Sequence, residues 1–265
     1  MALFAVNEMQ CELASADSMI RIRSVIESML EYVVTRLPDA STMLRYYDGL
    51  DPMTITSTEI LAELSWVVYS SGFRHEVVKK YWPGISQAFN GFEVAEVASL
   101  YEDMENEARR ICSSSGFNNK KKAMWCIQNA RRIIELDSEK GAVGGLAGYL
   151  AQLSRRNTYD LMHLAPYLVE EFRFKGIGNT TIFHLMKNLG IDVFKPDIHV
   201  RRTLTKLGLT REENAATADI CRAMFLLSQA SQMRIIELDT LLFEYGRMTR
   251  DILVPEITAA MSDAI

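Results

Sequence analysis

"FKGIGNTTIFHLMKNLGIDVFKPDIHVRR" runs from Phe174 to Arg202 and joins a glycine turn to a carboxylate ahead of a basic pair. Gly176 and Gly178 flank Ile177 near its start, and a stretch with helical spacing follows. Lys195-Pro196 then delivers Asp197 to the head of the next helical stretch, with Arg201 and Arg202 behind it. Two glycines allow a sharp turn and leave backbone N–H groups bare of side chains. Ile177 between them is expected to plug into the core. Asn179 and Thr180 are expected to open a helix whose free N–H groups and polarity suit a phosphate oxygen. Contacts of this kind hold nucleic acid without reading its sequence. A G-x-G alone also describes a plain helix–helix turn, and an Asp before a helix is commonly an N-cap.

The surrounding charge bears on the choice. The chain of 265 residues carries a net charge of −5, which does not suggest a nucleic-acid binder. Between Glu171 and Gly208, however, seven basic side chains stand against three acidic ones. A basic patch on an acidic body can grip phosphates, although a solvated charged face gives the same count.

The length allows one large domain or two small ones. No run reaches the roughly 18 apolar residues of a membrane span. Residues 1–20 contain no Lys or Arg, so a secretory signal is not expected and a cytoplasmic protein is. Cys11, Cys112, Cys126 and Cys221 form no C-x-x-C pair, which argues against a zinc ribbon or an iron–sulfur cluster. They read as core or surface residues of a reduced protein.

Almost every segment has helical spacing. Ile22, Ile26, Met29, Leu30, Val33 and Leu37 make one apolar stripe that Pro38 stops. Thr56-x-x-Glu59 is a capping box opening a helix with Ile60, Leu61, Leu64, Trp66 and Val67, which Gly72 could close. Pro83-Gly84 is expected to break the next helix, and 113–119 and 140–148 to be loops. The latter is glycine-rich but lacks the lysine and the preceding strand of a P-loop. Further helices are expected at about 120–136, 158–170, 179–189, 197–207, 211–230 and 232–248. Strand signals are nearly absent, so the fold class is all-α.

Taken together, "FKGIGNTTI" and "KPDIHVRRTL" resemble the hairpin and the Asp-bearing segment of the helix-hairpin-helix DNA glycosylases, the superfamily that includes endonuclease III and the alkyladenine glycosylases. Asp197, His199, Val200 and Arg202 fall at matching positions. "ELSWVVYSSGFRHEVVKKYWPGISQAF" (63–89) is similar to the segment that supplies the DNA-wedging loop. "GFNNKKKAMWCIQNARRI" (116–133) is similar to a basic loop and helix of the 3-methyladenine glycosylase I group. The matches cover about residues 57–208.

The resemblance implies a two-lobed helical fold with DNA bound across a cleft. Residues 1–55 would pack with the C-terminal lobe, 56–192 would form the central lobe with its hairpin at about 165–190, and 193–265 would carry the catalytic Asp. Asp197 would stabilise the cationic sugar and orient water. Lys175, Gly176, Ile177, Gly178, Asn179 and Thr180 would form the DNA-binding hairpin. Phe73 would be the wedge, and Arg74, Asn118, Asn119, Lys120, Arg201 and Arg202 would touch the DNA backbone, the two last equally suiting a structural pair. Trp66, Tyr69 and Trp125 are candidates for the base pocket, though aromatics at helical spacing are commonly core. His199 would hydrogen-bond near Asp197 or pack.

Three departures matter. Thr180 stands where bifunctional members carry a catalytic lysine, so no Schiff base and no strand cleavage by that route are expected. Val67 stands near the position of the methyladenine group's glutamate. No Cys/His set matches that group's zinc site. The expected activity is therefore a monofunctional, metal-independent glycosylase leaving an abasic site, with an alkylated purine as the first substrate. A monovalent cation, K+ or Na+, at the carbonyls of Lys175 and Ile177 is the one cofactor implied. The partner would be duplex DNA with a damaged or modified base, met by a monomer at the nucleoid and away from any membrane. The alternatives are a glycosylase acting on bulky virus-type bases in phage defence, and a non-catalytic DNA-binding module.

Overall fold

The computed structural model describes residues 16–250, 252–255 and 257–258; Cys11 lies outside them. Regular structure among the described residues is entirely helical. In chain order the helices are α1 (Ala16–Arg36), α2 (Ala40–Arg45), α3 (Ser57–Ser70), α4 (His75–Ala88), α5 (Val94–Ser99), α6 (Met104–Ser115), α7 (Lys120–Glu139), α8 (Gly145–Leu153), α9 (Thr158–Phe172), α10 (Thr181–Asn188), α11 (Ile198–Lys206), α12 (Thr217–Ser231) and α13 (Ile235–Thr249). No helix among the described residues is long and apolar enough to cross a membrane.

The chain divides into two compact units, Met1–Tyr46 with Pro196–Ile265, and Tyr47–Lys195. The divisions fall at 46/47 and 195/196, against 55/56 and 192/193 expected from the sequence.

In the first unit α1 packs on α12 and α13, and α11 on α13. Val25, Ile26, Met29 and Val33 bury one face of α1, a spacing of three and four that follows the helical repeat. Tyr245 of α13 meets Tyr32 edge-on at 5.5 Å. Cys221 is buried on α12.

The second unit is built around α7, 20 residues or about 30 Å long. Ala123, Cys126, Ile127, Ala130, Ile133 and Leu136 are all fully buried, facing α3, α5, α6 and α8. At roughly 1.5–3 kcal/mol for each large aliphatic side chain, Ile127, Ile133 and Leu136 add to the unit's cohesion. α3 opens with the Thr56–Glu59 capping box, Glu59 N–H donating to Thr56 Oγ1 at 3.2 Å and Thr56 N–H to Glu59 Oε2 at 2.8 Å.

Two expected breaks are not breaks. α4 continues through Pro83-Gly84. Pro83 is exposed, so the carbonyl it leaves unpaired one turn earlier can face water. Gly84 lets the helix settle on α6, where a Cβ would come 3.0 Å from the carbonyl oxygen of Ser115. α6 runs on through the serines to Ser115 and ends at Gly116, at φ 72°. α8 starts inside the glycine-rich stretch, at Gly145, after the left-handed Gly144. The helix expected at 211–230 begins only at Thr217.

Candidate functional site

α9, a turn and α10 follow one another as expected around Gly176, but the residues of the turn divide the work differently. Arg173 ends α9 in the left-handed region at φ 54°, its N–H donating to Val169 O at 3.0 Å. Phe174, not Ile177, is buried in the core; Ile177 is only half-buried. Gly176 has φ +80°, and a Cβ there would lie 2.8 Å from Trp125 Cε3. Gly178 has no positive φ, and a Cβ there would meet nothing within 4 Å. The turn therefore requires its first glycine, and its second leaves open space at the surface. Gly178 N–H is not bare: it donates to Thr181 Oγ1 at 2.7 Å. Asn179 and Thr180 are exposed just ahead of α10, where the first amides of a helix lack partners within it.

One face of α7 holds this turn. Asn129, fully buried, accepts from Lys175 N–H at 2.6 Å and donates to the same residue's carbonyl at 3.1 Å. Arg132 donates to the carbonyls of Phe172 and Glu171 at 3.0 and 3.1 Å, satisfying the open end of α9, and pairs with Glu139 at 2.7 Å. Trp125 lies under Gly176, with Lys121 Nζ 4.8 Å from its ring. Trp125, half-buried, is thus a floor for the turn.

The same face holds the loop between α3 and α4. Lys122, buried, donates through Nζ to the carbonyls of Val68 and, at 2.8 Å, Ser71, closing the end of α3. Burial lowers its ammonium pKa below the ordinary value. Phe73, at the tip, is 43% exposed and is propped by Phe117 at 5.1 Å and by Lys122 Nζ at 5.3 Å from its ring. Arg74 follows it, exposed, at the start of α4.

Tyr69 is fully buried, edge-on to Phe117 and Trp82, so it is core and offers no face to a base. Its hydroxyl has no hydrogen-bond partner, and burial pushes its pKa up. Trp66 is partly exposed, with His75 and Trp82 edge-on at 5.3 and 5.0 Å. Asn118 is exposed. Asn119 caps α7 by accepting from Lys122 N–H at 3.1 Å. Lys120 is tied to Glu105 at 2.6 Å, which lowers that carboxyl's pKa.

In the first unit Asp197 is the N-cap of α11. Its Oδ1 accepts from His199 and Val200 N–H at 3.0 and 3.1 Å. The His199 ring meets Phe243 edge-on at 5.4 Å. Arg201 is structural: it donates to the carbonyls of Pro196 at 2.9 Å, Glu213 at 3.3 Å and Ala215 at 3.2 Å. Arg202 pairs with Glu213 at 3.1 Å. Neither guanidinium is simply offered to solvent as a phosphate contact.

A further carboxylate, outside the residues expected from the sequence, lies half-buried in the second unit. Glu63 lies one turn before Val67 on α3, and Asn188 of α10 donates to it at 2.8 Å. Burial raises its pKa from 4.5 to about 7, the Asn188 bond pulling the other way. His184, one turn before Asn188, is pushed down to about 3 by burial and by Lys195, Lys187 and His75. Its spacing from Val67 was the available signal for Glu63; its burial was not visible.

Compared with family models, curated proteins and solved structures, the chain matches none.

Proposed function

We propose that the chain is a monofunctional DNA glycosylase with the two-lobed helical fold of the helix-hairpin-helix superfamily. The observation that carries this reading is the mounting of two loops on one face of α7. An exposed phenylalanine loop is held by Lys122, and a glycine turn opening a helix is held by Trp125 and Asn129. Their anchors are seven residues apart, about 10 Å along the helix, or about three base-pair steps of a DNA strand. That suits an apolar wedge working beside a phosphate clamp.

The turn would hold a phosphate through the amides at the head of α10, with Lys175 and Lys121 adding charge. Lys175's carbonyl keeps one acceptor direction beyond the Asn129 bond, so it and Ile177's carbonyl could hold a monovalent cation, which would neutralise charge between turn and phosphate. Phe73 would fill the gap left by an extruded base. Breaking the N-glycosidic bond leaves positive charge on the sugar, which the carboxylate of Asp197 would stabilise while orienting the attacking water. One carboxylate suffices when the base already leaves well, as an alkylated purine does. Thr180 supplies no amine, so the product would be a free base and an abasic site. The enzyme would act as a monomer on duplex DNA in the cytoplasm.

The test is mass spectrometry of small molecules released from alkylated, deaminated, oxidised and virus-modified DNA, with Asp197→Asn as control. Release of one base by the parent alone supports the reading and names the substrate. Release from virus-modified DNA only would favour the defence role. DNA bound with nothing released would overturn catalysis and leave a binding module.

A further inference from the structure

Lys122, Trp125, Asn129 and Arg132 recur at three, four and three along α7, so they share one face. Lys122 and Asn129 are buried polar side chains, and each spends its donors on backbone of a different loop. Lys122 closes the end of α3 through Val68 and Ser71. Asn129 clasps Lys175 from both sides of its peptide framework. The two loops are far apart in sequence but share this rigid helix. Buried charged and amide donors are costly to leave unpaired, so each contact holds its loop in one geometry.

We propose that Lys122 and Asn129 are separate positioning residues, Lys122 setting the Phe73 loop for base extrusion and Asn129 setting the 173–180 turn for phosphate binding. This rests on the glycosylase reading for its two functional outcomes, but not for its mechanical one. Neither residue touches substrate in this scheme. Each acts through the loop it fixes, with α7 keeping wedge and clamp at constant spacing.

Lys122→Met removes the ammonium and keeps the length of the stem; Lys122→Gln is the milder variant should the first fail to fold. Asn129→Leu removes both amide contacts, and Asn129→Asp is its milder counterpart. Amide hydrogen exchange is followed in the free protein at 69–75 and at 173–180. Binding is followed by anisotropy of a duplex containing 2-aminopurine, and extrusion by the rise in that base's fluorescence. In the Lys122 variant, exchange at 69–75 should speed up by about tenfold or more while 173–180 is unchanged. Its extrusion signal should fall by about tenfold with affinity held within about twofold. In the Asn129 variant the pattern should invert, with faster exchange at 173–180 and about tenfold weaker binding.

Equal loosening of both segments by either variant, or loosening of neither, would overturn the proposal. So would extrusion that survives Lys122→Met in a loosened loop. If exchange separates as expected but the parent leaves 2-aminopurine stacked and the duplex unbound, the mechanical assignment stands and the glycosylase reading falls.

Discussion

Gly176 sits against the indole of Trp125 with no room for a side chain between them: a Cβ at 176 would lie 2.8 Å from Cε3 and 3.2 Å from Cζ3. Its φ of +80° adds a second reason for glycine. Two residues on, Gly178 has neither reason. Gly176→Ala should therefore cost about 2–4 kcal/mol, strain and displacement of the indole together, whereas Gly178→Ala should stay within about 0.5 kcal/mol. Urea unfolding of the two variants side by side gives the answer. Equal losses would mean that the turn is not held against α7 as described.

Freedom at Gly178 makes it a probe of function without a stability penalty. Gly178→Asp places a carboxylate in open space just ahead of α10. If a DNA phosphate approaches there, affinity for duplex should fall by about tenfold at low salt, and the deficit should shrink as salt screens the repulsion. Melting temperature is the control and should barely move. Unchanged affinity across the salt series would remove the turn from the DNA interface.

Much of the helical frame was legible, and the reasons for the exceptions are physical. The stripe on α1 and the Thr56–Glu59 box are local patterns, and local patterns survive folding. Whether Pro83-Gly84 ends a helix depends on a partner: Gly84 meets Ser115, more than thirty residues away in sequence. The candidate site was less legible for the same reason. "KKKAMWCIQNARRI" resembles part of a basic loop and helix, yet Lys122 and Asn129 are buried, and backbone carbonyls of distant loops receive their donors. Arg201 looked equally suited to phosphate and to structure until the carbonyls of Glu213 and Ala215 came within its reach. Tyr69 and Trp66 share α3, and only packing separates the core ring from the partly exposed one.

The paired perturbations of Glu63 and His184 predict an unusual pH profile. Glu63 rises from 4.5 to about 7, so the folded chain keeps a proton that the unfolded chain has released between those values. That contribution to stability falls as pH rises through the window. His184 drops from 6.5 to about 3, so between those values the unfolded chain holds the extra proton and stability climbs with pH. From pH 4.5 to 6.5 the two slopes oppose each other. Glu63→Gln keeps an acceptor for Asn188 and removes only the first. The variant should gain on the parent as pH rises toward 8, by on the order of 2–3 kcal/mol, and should lose stability more steeply on acidification below 6.5. Urea midpoints at three pH values would decide it, and parallel profiles would show that Glu63 ionises normally.

Asp197 carries two roles that can be pulled apart. As N-cap it accepts two backbone N–H groups at the head of α11, a task Asn performs about as well as Asp. As the proposed charge partner of a cationic sugar it must be a carboxylate, which Asn is not. Asp197→Asn should therefore fold with a stability within about 0.5 kcal/mol of the parent and release no base. Asp197→Ala should also release no base, but should lose about 1 kcal/mol because the amides at the head of α11 lose their acceptor. Unfolding curves and base release measured on the same three preparations separate the roles. If Asn behaves as Ala does in stability, the carboxylate's charge matters to the cap. If Asn still releases base at the parent's rate, the reaction is carried by another group, and Glu63, the carboxylate raised toward neutrality in the other unit, becomes the next residue to change.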